Sequence, residues 1–151
     1  MRIEHQFSIA GFEVSVSFPD GWDTDTLLPS FRPFYGKKEG QEKALLKCTV
    51  CTSVENKAAM PSGELIENTL SDMGYVSLYK EAEGYCVTLS AEQGGALHVM
   101  QADRRFSTVR VYLHEEDKRA GHALSSLLRI AYSQAVLYWD AVSIHASAVY
   151  C

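Results

Sequence analysis

The strongest constraint on the fold is the alternation of apolar and polar side chains on both sides of Ala10 and Gly11. Neighbouring side chains of a β-strand point to opposite faces, so a period of two predicts two strands, each with one apolar face. Gly11 provides the positive φ that a tight hairpin turn needs. The apolar positions are Ile3, Phe7, Ile9, Phe12, Val14, Val16 and Phe18. Because an isolated hairpin is marginal in water, we expect further strands and a layer that covers the apolar side.

Five later segments have the composition of strands. One lies at residues 45–52, and four follow one another at 75–79, 85–90, 96–101 and 107–113. Short turns join the last four segments, which favours an antiparallel meander. Gly94 and Gly95, like Gly36 with Lys37 and Lys38, are interpreted as turns. Neither glycine site has the G-x-x-x-x-G-K-[ST] spacing of a phosphate loop.

Two helices are predicted. A short helix is expected from Ser62, a plausible N-cap, to about Met73, before Gly74. Its inner face comprises Leu65, Ile66, Thr69, Leu70 and Met73.

The second helix is long and is expected to open with the acidic triplet 115–117, since the helix dipole favours anionic side chains at the N-terminus. Its apolar stripe comprises Ala120, Ala123, Leu124, Leu127, Leu128, Ala131, Ala135 and Tyr138, widened by Ile130 and Leu137. So broad a stripe predicts a helix that packs across the sheet. The sequence therefore predicts one α+β domain spanning residues 1–151. Its mostly antiparallel sheet, a hairpin plus a meander, is covered by a long C-terminal helix and a short helix, and the chain ends in a strand.

Residues 23–41 are expected to be irregular, because Pro29 and Pro33 favour extended or turn backbone. This segment carries five large apolar side chains: Leu27, Leu28, Phe31, Phe34 and Tyr35. Two interpretations remain open. The side chains cover the edge of the core, or they form a surface that contacts a partner protein.

Composition excludes some classes of partner. The net charge is −5 and no run of lysine and arginine occurs, so nucleic-acid binding is not expected. No stretch approaches the roughly 20 apolar residues of a membrane span, and the N-terminus lacks the apolar region of a signal peptide. We therefore expect a cytoplasmic protein without a membrane partner and with reduced thiols.

No catalytic or metal-binding set is recognised in the sequence. Cys48 and Cys51 form a C-x-x-C, but they lie on a predicted strand, where positions i and i+3 point to opposite faces. They are expected to be buried structural cysteines. The five histidines are scattered, and His114 beside Glu115 and Glu116 is interpreted as a solvated turn. The chain as given is thus expected not to be an enzyme and to hold no metal or cofactor.

The last stretch, AVSIHASAVYC at residues 141–151, follows a helix that contains the run LLRIAY. This order of helix and small-residue strand resembles the region before the phosphate-binding loop of HPr-kinase-like and ATP-dependent phosphoenolpyruvate-carboxykinase-like proteins. The run LLPSFRPF at residues 27–34 is also similar to an N-terminal segment of that family. His145 and Ser147 match the family's H-A-S motif.

The resemblance implies a non-catalytic N-terminal domain of a phosphotransferase, which positions a protein substrate beside a nucleotide-binding part. ATP and magnesium would be bound only by that part, which the 151 residues do not contain. The partners expected on this hypothesis are the nucleotide-binding domain or another protein. The terminal strand is expected to join the domain's own sheet or to pair with a second copy in a homo-oligomer. The alternative hypothesis is a stand-alone interaction module.

Overall fold

The computed structural model describes residues 2–36, 43–52 and 60–142. Eight strands in these residues form one sheet. They are β1 (Arg2–Ile9), β2 (Phe12–Pro19), β3 (Lys43–Cys51), β4 (Glu64–Ser71), β5 (Gly74–Lys80), β6 (Gly84–Ser90), β7 (His98–Asp103) and β8 (Thr108–Tyr112). The helices are α1 (Thr24–Leu27) and α2 (Ala120–Ala135), with 3₁₀ helices at Pro29–Phe34 and Val136–Trp139.

The sheet is mixed but mostly antiparallel, with the order β1-β2-β3-β8-β7-β6-β5-β4. The N-terminal hairpin β1–β2 and the meander β5–β8 are antiparallel, which confirms both predictions. β3 joins the two halves by running parallel to both β2 and β8. The protein is therefore α+β, as predicted. The short turns in the sequence predicted antiparallel pairs and gave no indication of the two parallel pairs at the centre of the sheet.

The predicted helix from Ser62 to Met73 is wrong, because most of this segment is strand β4. β4 forms a hairpin with β5 through a turn at Asp72 and Met73, and Gly74, with a φ of +115°, begins β5 directly after this turn rather than ending a helix. The register shifts between Leu65 and Glu67, so one extra residue bulges from the strand. All eight β4 residues are exposed, so of the predicted inner face only Met73, which follows the strand, is partly buried against the main core.

Residues 23–36 are more helical than predicted. Asp23 caps α1, since its carboxylate accepts hydrogen bonds from the Asp25 amide and the Thr26 hydroxyl at 3.1 and 2.6 Å. The 3₁₀ helix that follows starts at Pro29, a position at which the missing amide hydrogen costs nothing. Pro29 therefore marks where this helix begins, and Pro33 is accommodated inside it. Residues 37–42, with Lys37 and Lys38, lie outside the described residues.

α2 covers one face of the sheet, as predicted. The predicted stripe is buried from Ala120 to Ala135, and Leu124, Leu127 and Ala131 have no exposed surface. Tyr138 was also placed on this stripe, but it lies in the 3₁₀ helix beyond α2 and is exposed. The acidic triplet precedes α2 instead of forming its first turn. Arg119 is the N-cap residue, and Asp117 accepts a hydrogen bond from its amide.

The two faces of the sheet bury separate groups of side chains. The face under α2 holds the main core, which includes Cys48, Val111 and Met100. The opposite face holds a small cluster of Cys51, Cys86, Val99 and Tyr112. Cys48 and Cys51 are thus buried on opposite faces of β3, as the strand prediction required. The predicted terminal strand lies outside the described residues.

Replacing Leu127 by alanine tests the orientation of α2. Because this side chain is fully buried, Leu127→Ala should lower the free energy of unfolding by about 2–5 kcal/mol. The matched control Leu137→Ala removes a side chain that is 52% exposed and should cost less than about 1 kcal/mol. Urea denaturation of both variants measures the difference. Equal losses would contradict the orientation.

Candidate functional site

Four large apolar side chains are exposed together at the end of α2. They are Leu137, Tyr138, Trp139 and Val142, and they are between 44% and 73% exposed. We call these four residues the C-terminal patch. Asp140, whose φ is +57°, ends the 3₁₀ helix that contains Leu137, Tyr138 and Trp139. The patch lies immediately before residues 143–151, which contain the H-A-S motif.

Contacts with residues at the ends of β2, β3 and β7 hold the patch in place. The Trp139 ring lies 6.3 Å from the Phe12 ring, and the Lys43 ammonium group lies 4.7 Å above its centre. The Tyr138 hydroxyl donates to the backbone carbonyl of Arg104 at 3.4 Å. Both aromatic side chains are therefore anchored on one side and open to solvent on the other. Sequence analysis missed the patch, although the apolar run VLYW at residues 136–139 exceeds what one helix face can bury.

The large apolar side chains of residues 27–35 do not form one surface. Leu28 and Phe31 are buried in the main core, where Phe31 contacts the Phe7 ring edge to face at 5.4 Å. Leu27 is partly buried, whereas Phe34 and Tyr35 are exposed. The segment therefore combines the two interpretations, since part of it covers the core edge and part of it faces solvent.

The two edges of the sheet differ. The edge at β1 is partly covered, because Tyr35 forms a bridge with Phe7 and the Gly36 amide donates to the Gln6 carbonyl at 3.0 Å. β4, the opposite edge, pairs only with β5 in the described part of the chain. Its side chains Leu65, Ile66 and Leu70 are 49–66% exposed. An uncovered edge with apolar side chains favours association with another strand.

A hydrogen-bonded pair with a fully buried histidine joins β7 to the loop before α2. His98 is fully buried, and its Nε2 donates to Asp117 Oδ2 at 2.8 Å. Its Nδ1 accepts a hydrogen bond from the His114 amide at 3.2 Å. Burial lowers the pKa of His98, against the opposing effect of the Asp117 carboxylate. Hydrogen bonds from the Arg119 amide and from His98 lower the pKa of Asp117.

Both nitrogens of the neutral His98 ring are therefore engaged. A general base needs a free nitrogen within reach of a substrate proton, and this ring offers none. The pair instead fixes the loop that leads into α2. Sequence analysis missed it because the two residues are 19 positions apart and belong to no motif.

Cys48 and Cys86 are also unsuited to nucleophilic chemistry, which needs the thiolate form. Burial raises the pKa of the Cys48 thiol far above its usual range, and it raises the pKa of Cys86 to about 12. Cys48, Cys51 and Cys86 are all buried and form no disulfide with one another. These thiols act as small apolar side chains of the two cores.

His145 and Ser147, the residues of the H-A-S motif, lie outside the described residues. Within residues 2–36, 43–52 and 60–142, no three metal-ligating side chains come together. None of the helices in these ranges has the length and apolar character to cross a bilayer. Comparison of the chain with protein-family models, curated proteins and solved structures finds no match.

Replacing His98 tests its structural role through the dependence of stability on pH. A histidine with a lowered pKa binds its proton more readily in the unfolded chain. Its contribution to stability is therefore complete above the unfolded pKa of about 6.5 and is lost as the pH falls below that value. The free energy of unfolding should fall between pH 7 and pH 5. Asp117 adds a loss only below about pH 4, since its pKa is lowered from an acidic value.

His98→Gln retains a donor for Asp117 but not the acceptor for the His114 amide. We expect it to cost about 1–3 kcal/mol at pH 7 and to reduce the fall between pH 7 and pH 5. The exposed histidine variant His122→Gln, the matched control, should leave both quantities unchanged. Chemical denaturation at a series of pH values measures them. An undiminished fall in His98→Gln would contradict the assignment.

Proposed function

We propose that this chain is a non-catalytic domain of an HPr-kinase-like or carboxykinase-like phosphotransferase. On this proposal, the domain docks against a nucleotide-binding part and positions a protein substrate beside it. Residues 143–151, with His145 and Ser147, would form the strand that leads from one part into the other. ATP and magnesium would be bound by the nucleotide-binding part alone.

The exposed C-terminal patch carries this proposal. The buried stripe of α2 already serves the domain's own core, whereas Leu137, Tyr138, Trp139 and Val142 leave 44–73% of their surface open to solvent. Contiguous exposed apolar side chains usually mark a contact with another protein surface. Their place in the chain, directly before the segment that resembles the entry to a phosphate loop, favours the nucleotide-binding part as the protein that covers them.

The chemistry of the described residues is consistent with a docking role. Phosphoryl transfer depends on cations and backbone amides placed around the phosphates, with a base that positions the nucleophile. The buried histidine His98 has both nitrogens in structural hydrogen bonds, and the thiols of Cys48 and Cys86 are held protonated by burial. These groups are used for stability rather than for catalysis.

A second candidate is a stand-alone interaction module, which the open β4 edge favours. An extended segment of another protein, or β4 of a second copy, would add a strand beside Glu64–Ser71. The bulge in β4 and the charge of Glu67 limit such pairing, since both are features that disfavour strand addition at sheet edges. For this reason we rank the module second.

Two measurements test the proposal together. One is the sequence of the gene beyond codon 151, and the other is titration with a nucleotide. We expect the frame to continue into a strand, a Gly-rich loop with lysine and serine or threonine, and a helix. Isothermal titration with Mg-ATP should then give no saturable binding to residues 1–151 and saturable binding to the longer product. A stop codon directly after Cys151 would favour the interaction module. Saturable binding to residues 1–151 would contradict the proposed division of roles.

A further inference from the structure

A cavity of about 230 Å³ lies between the 3₁₀ helix Pro29–Phe34, the N-terminal strands and α2. It is separate from the C-terminal patch and shares no residue with it. Its apolar walls are formed by Ile9, Val14, Phe31, Phe34, Leu46 and Leu128. Val14, Phe31, Leu46 and Leu128 are buried, so these walls belong to the rigid main core. An apolar cavity with a packed lining keeps its shape when it is empty or filled.

The polar groups are located where the cavity meets solvent. Ser30, Phe34 and Arg129 are the exposed lining residues and therefore mark the opening. The hydroxyl of Tyr132, another lining residue, donates to the Ile9 carbonyl at 3.1 Å and is already satisfied. Arg129, by contrast, makes no ion pair or hydrogen bond with any residue in 2–36, 43–52 or 60–142. A guanidinium group that no carboxylate of the described residues pairs with is thus available at the opening.

The partly exposed ring of Phe34 fits this picture. The Leu28 and Phe31 side chains of the same segment turn into the core, but Phe34 is 41% exposed and forms one wall of the cavity. A ligand in the cavity would cover part of this ring. Burial of apolar surface by the ligand would then stabilise the complex in proportion to the area removed from water.

We propose that this cavity binds a small organic acid with an apolar body of one aromatic ring or a short alkyl chain and a single carboxylate. The size follows from the volume, since an apolar cavity of roughly 150 Å³ admits benzene and the present one is larger. The charge follows from Arg129, whose guanidinium offers a planar pair of donors that matches a carboxylate. The apolar body fills the cavity, and the carboxylate lies at the opening beside Arg129 and Ser30.

Titration of residues 1–151 with 3-phenylpropanoate, followed by ¹H–¹⁵N NMR, tests this proposal. The matched probe 3-phenylpropan-1-ol has the same body without the charge. We expect saturable shifts of the amides of Ile9, Phe31, Leu128 and Tyr132, with a lower affinity for the alcohol. Absence of saturation by either compound at about 10 mM, or shifts confined to other regions, would overturn the proposal.

Variants separate the contribution of the charge from that of the cavity. Arg129→Met should weaken binding of the acid by about two- to fivefold, as expected for a solvent-exposed ion pair, and leave the alcohol unaffected. The control Arg119→Met, on an arginine outside this cavity, should change neither affinity. Equal loss for acid and alcohol in Arg129→Met would contradict the role of the guanidinium.

Leu128→Phe and Val14→Phe each fill the cavity, one from α2 and one from β2. Either variant that retains the circular dichroism spectrum of the folded protein should bind the acid at least about tenfold more weakly. Arg129→Met changes only a surface side chain and keeps the test decisive if both filled variants fail to fold. Undiminished binding in a folded, filled variant would overturn the proposal.

Discussion

Burial of one face of α2 against the sheet is the interaction on which the rest of the structure depends. The sheet has strands that are apolar on one side, and α2 is the long helix that covers that side in the described residues. A fully buried leucine contributes about 1.5–3 kcal/mol, and Leu124, Leu127 and Leu128 all lie in this contact. The parallel pairing of β3 with β2 and β8 then joins the hairpin and the meander beneath the same helix.

The two ends of α2 have different roles because hydrogen bonds fix the loop before the helix, whereas exposed apolar side chains follow its other end. The loop before the helix is fixed by the hydrogen bonds of His98 with Asp117 and the His114 amide. The other end, about 24 Å away for 16 residues, carries the C-terminal patch. A helix that is fixed at its start and buried along its length holds the patch in a defined orientation. On the proposed function, this orientation is what a docking partner recognises.

Most of the strands could be predicted from the sequence, and the error in β4 has a physical explanation. Leu65 and Leu70 are opposite Tyr79 and Tyr75 of β5 and thus lie on one face. A regular strand would put two residues five positions apart on opposite faces, whereas Ile66, Leu70 and Met73 recur at the spacings of four and three that mark one face of a helix. The bulge after Leu65 inserts the extra residue that restores the common face. A period-two pattern interrupted in this way is read as helical when only the sequence is considered.

The candidate sites were less predictable, because they depend on residues that are distant in the sequence. Phe31 and Phe34 are three positions apart in one 3₁₀ helix, yet the first is core and the second lines the cavity opening with Arg129. His98 and Asp117 meet only because the loop after β8 folds back onto the start of β7. Local pattern identified the helix that carries the C-terminal patch, but the loss of burial at Tyr138 follows from the change to a 3₁₀ helix at Val136.

Hydrogen–deuterium exchange at residues 136–142 tests most directly whether the C-terminal patch is a docking surface. The measurement compares residues 1–151 with the full product of the gene under identical conditions. The account predicts that exchange of these amides slows in the longer product, whereas amides of the buried stripe of α2 exchange equally in both. Equal exchange at residues 136–142 in the two proteins would contradict the proposal that a second domain covers the patch.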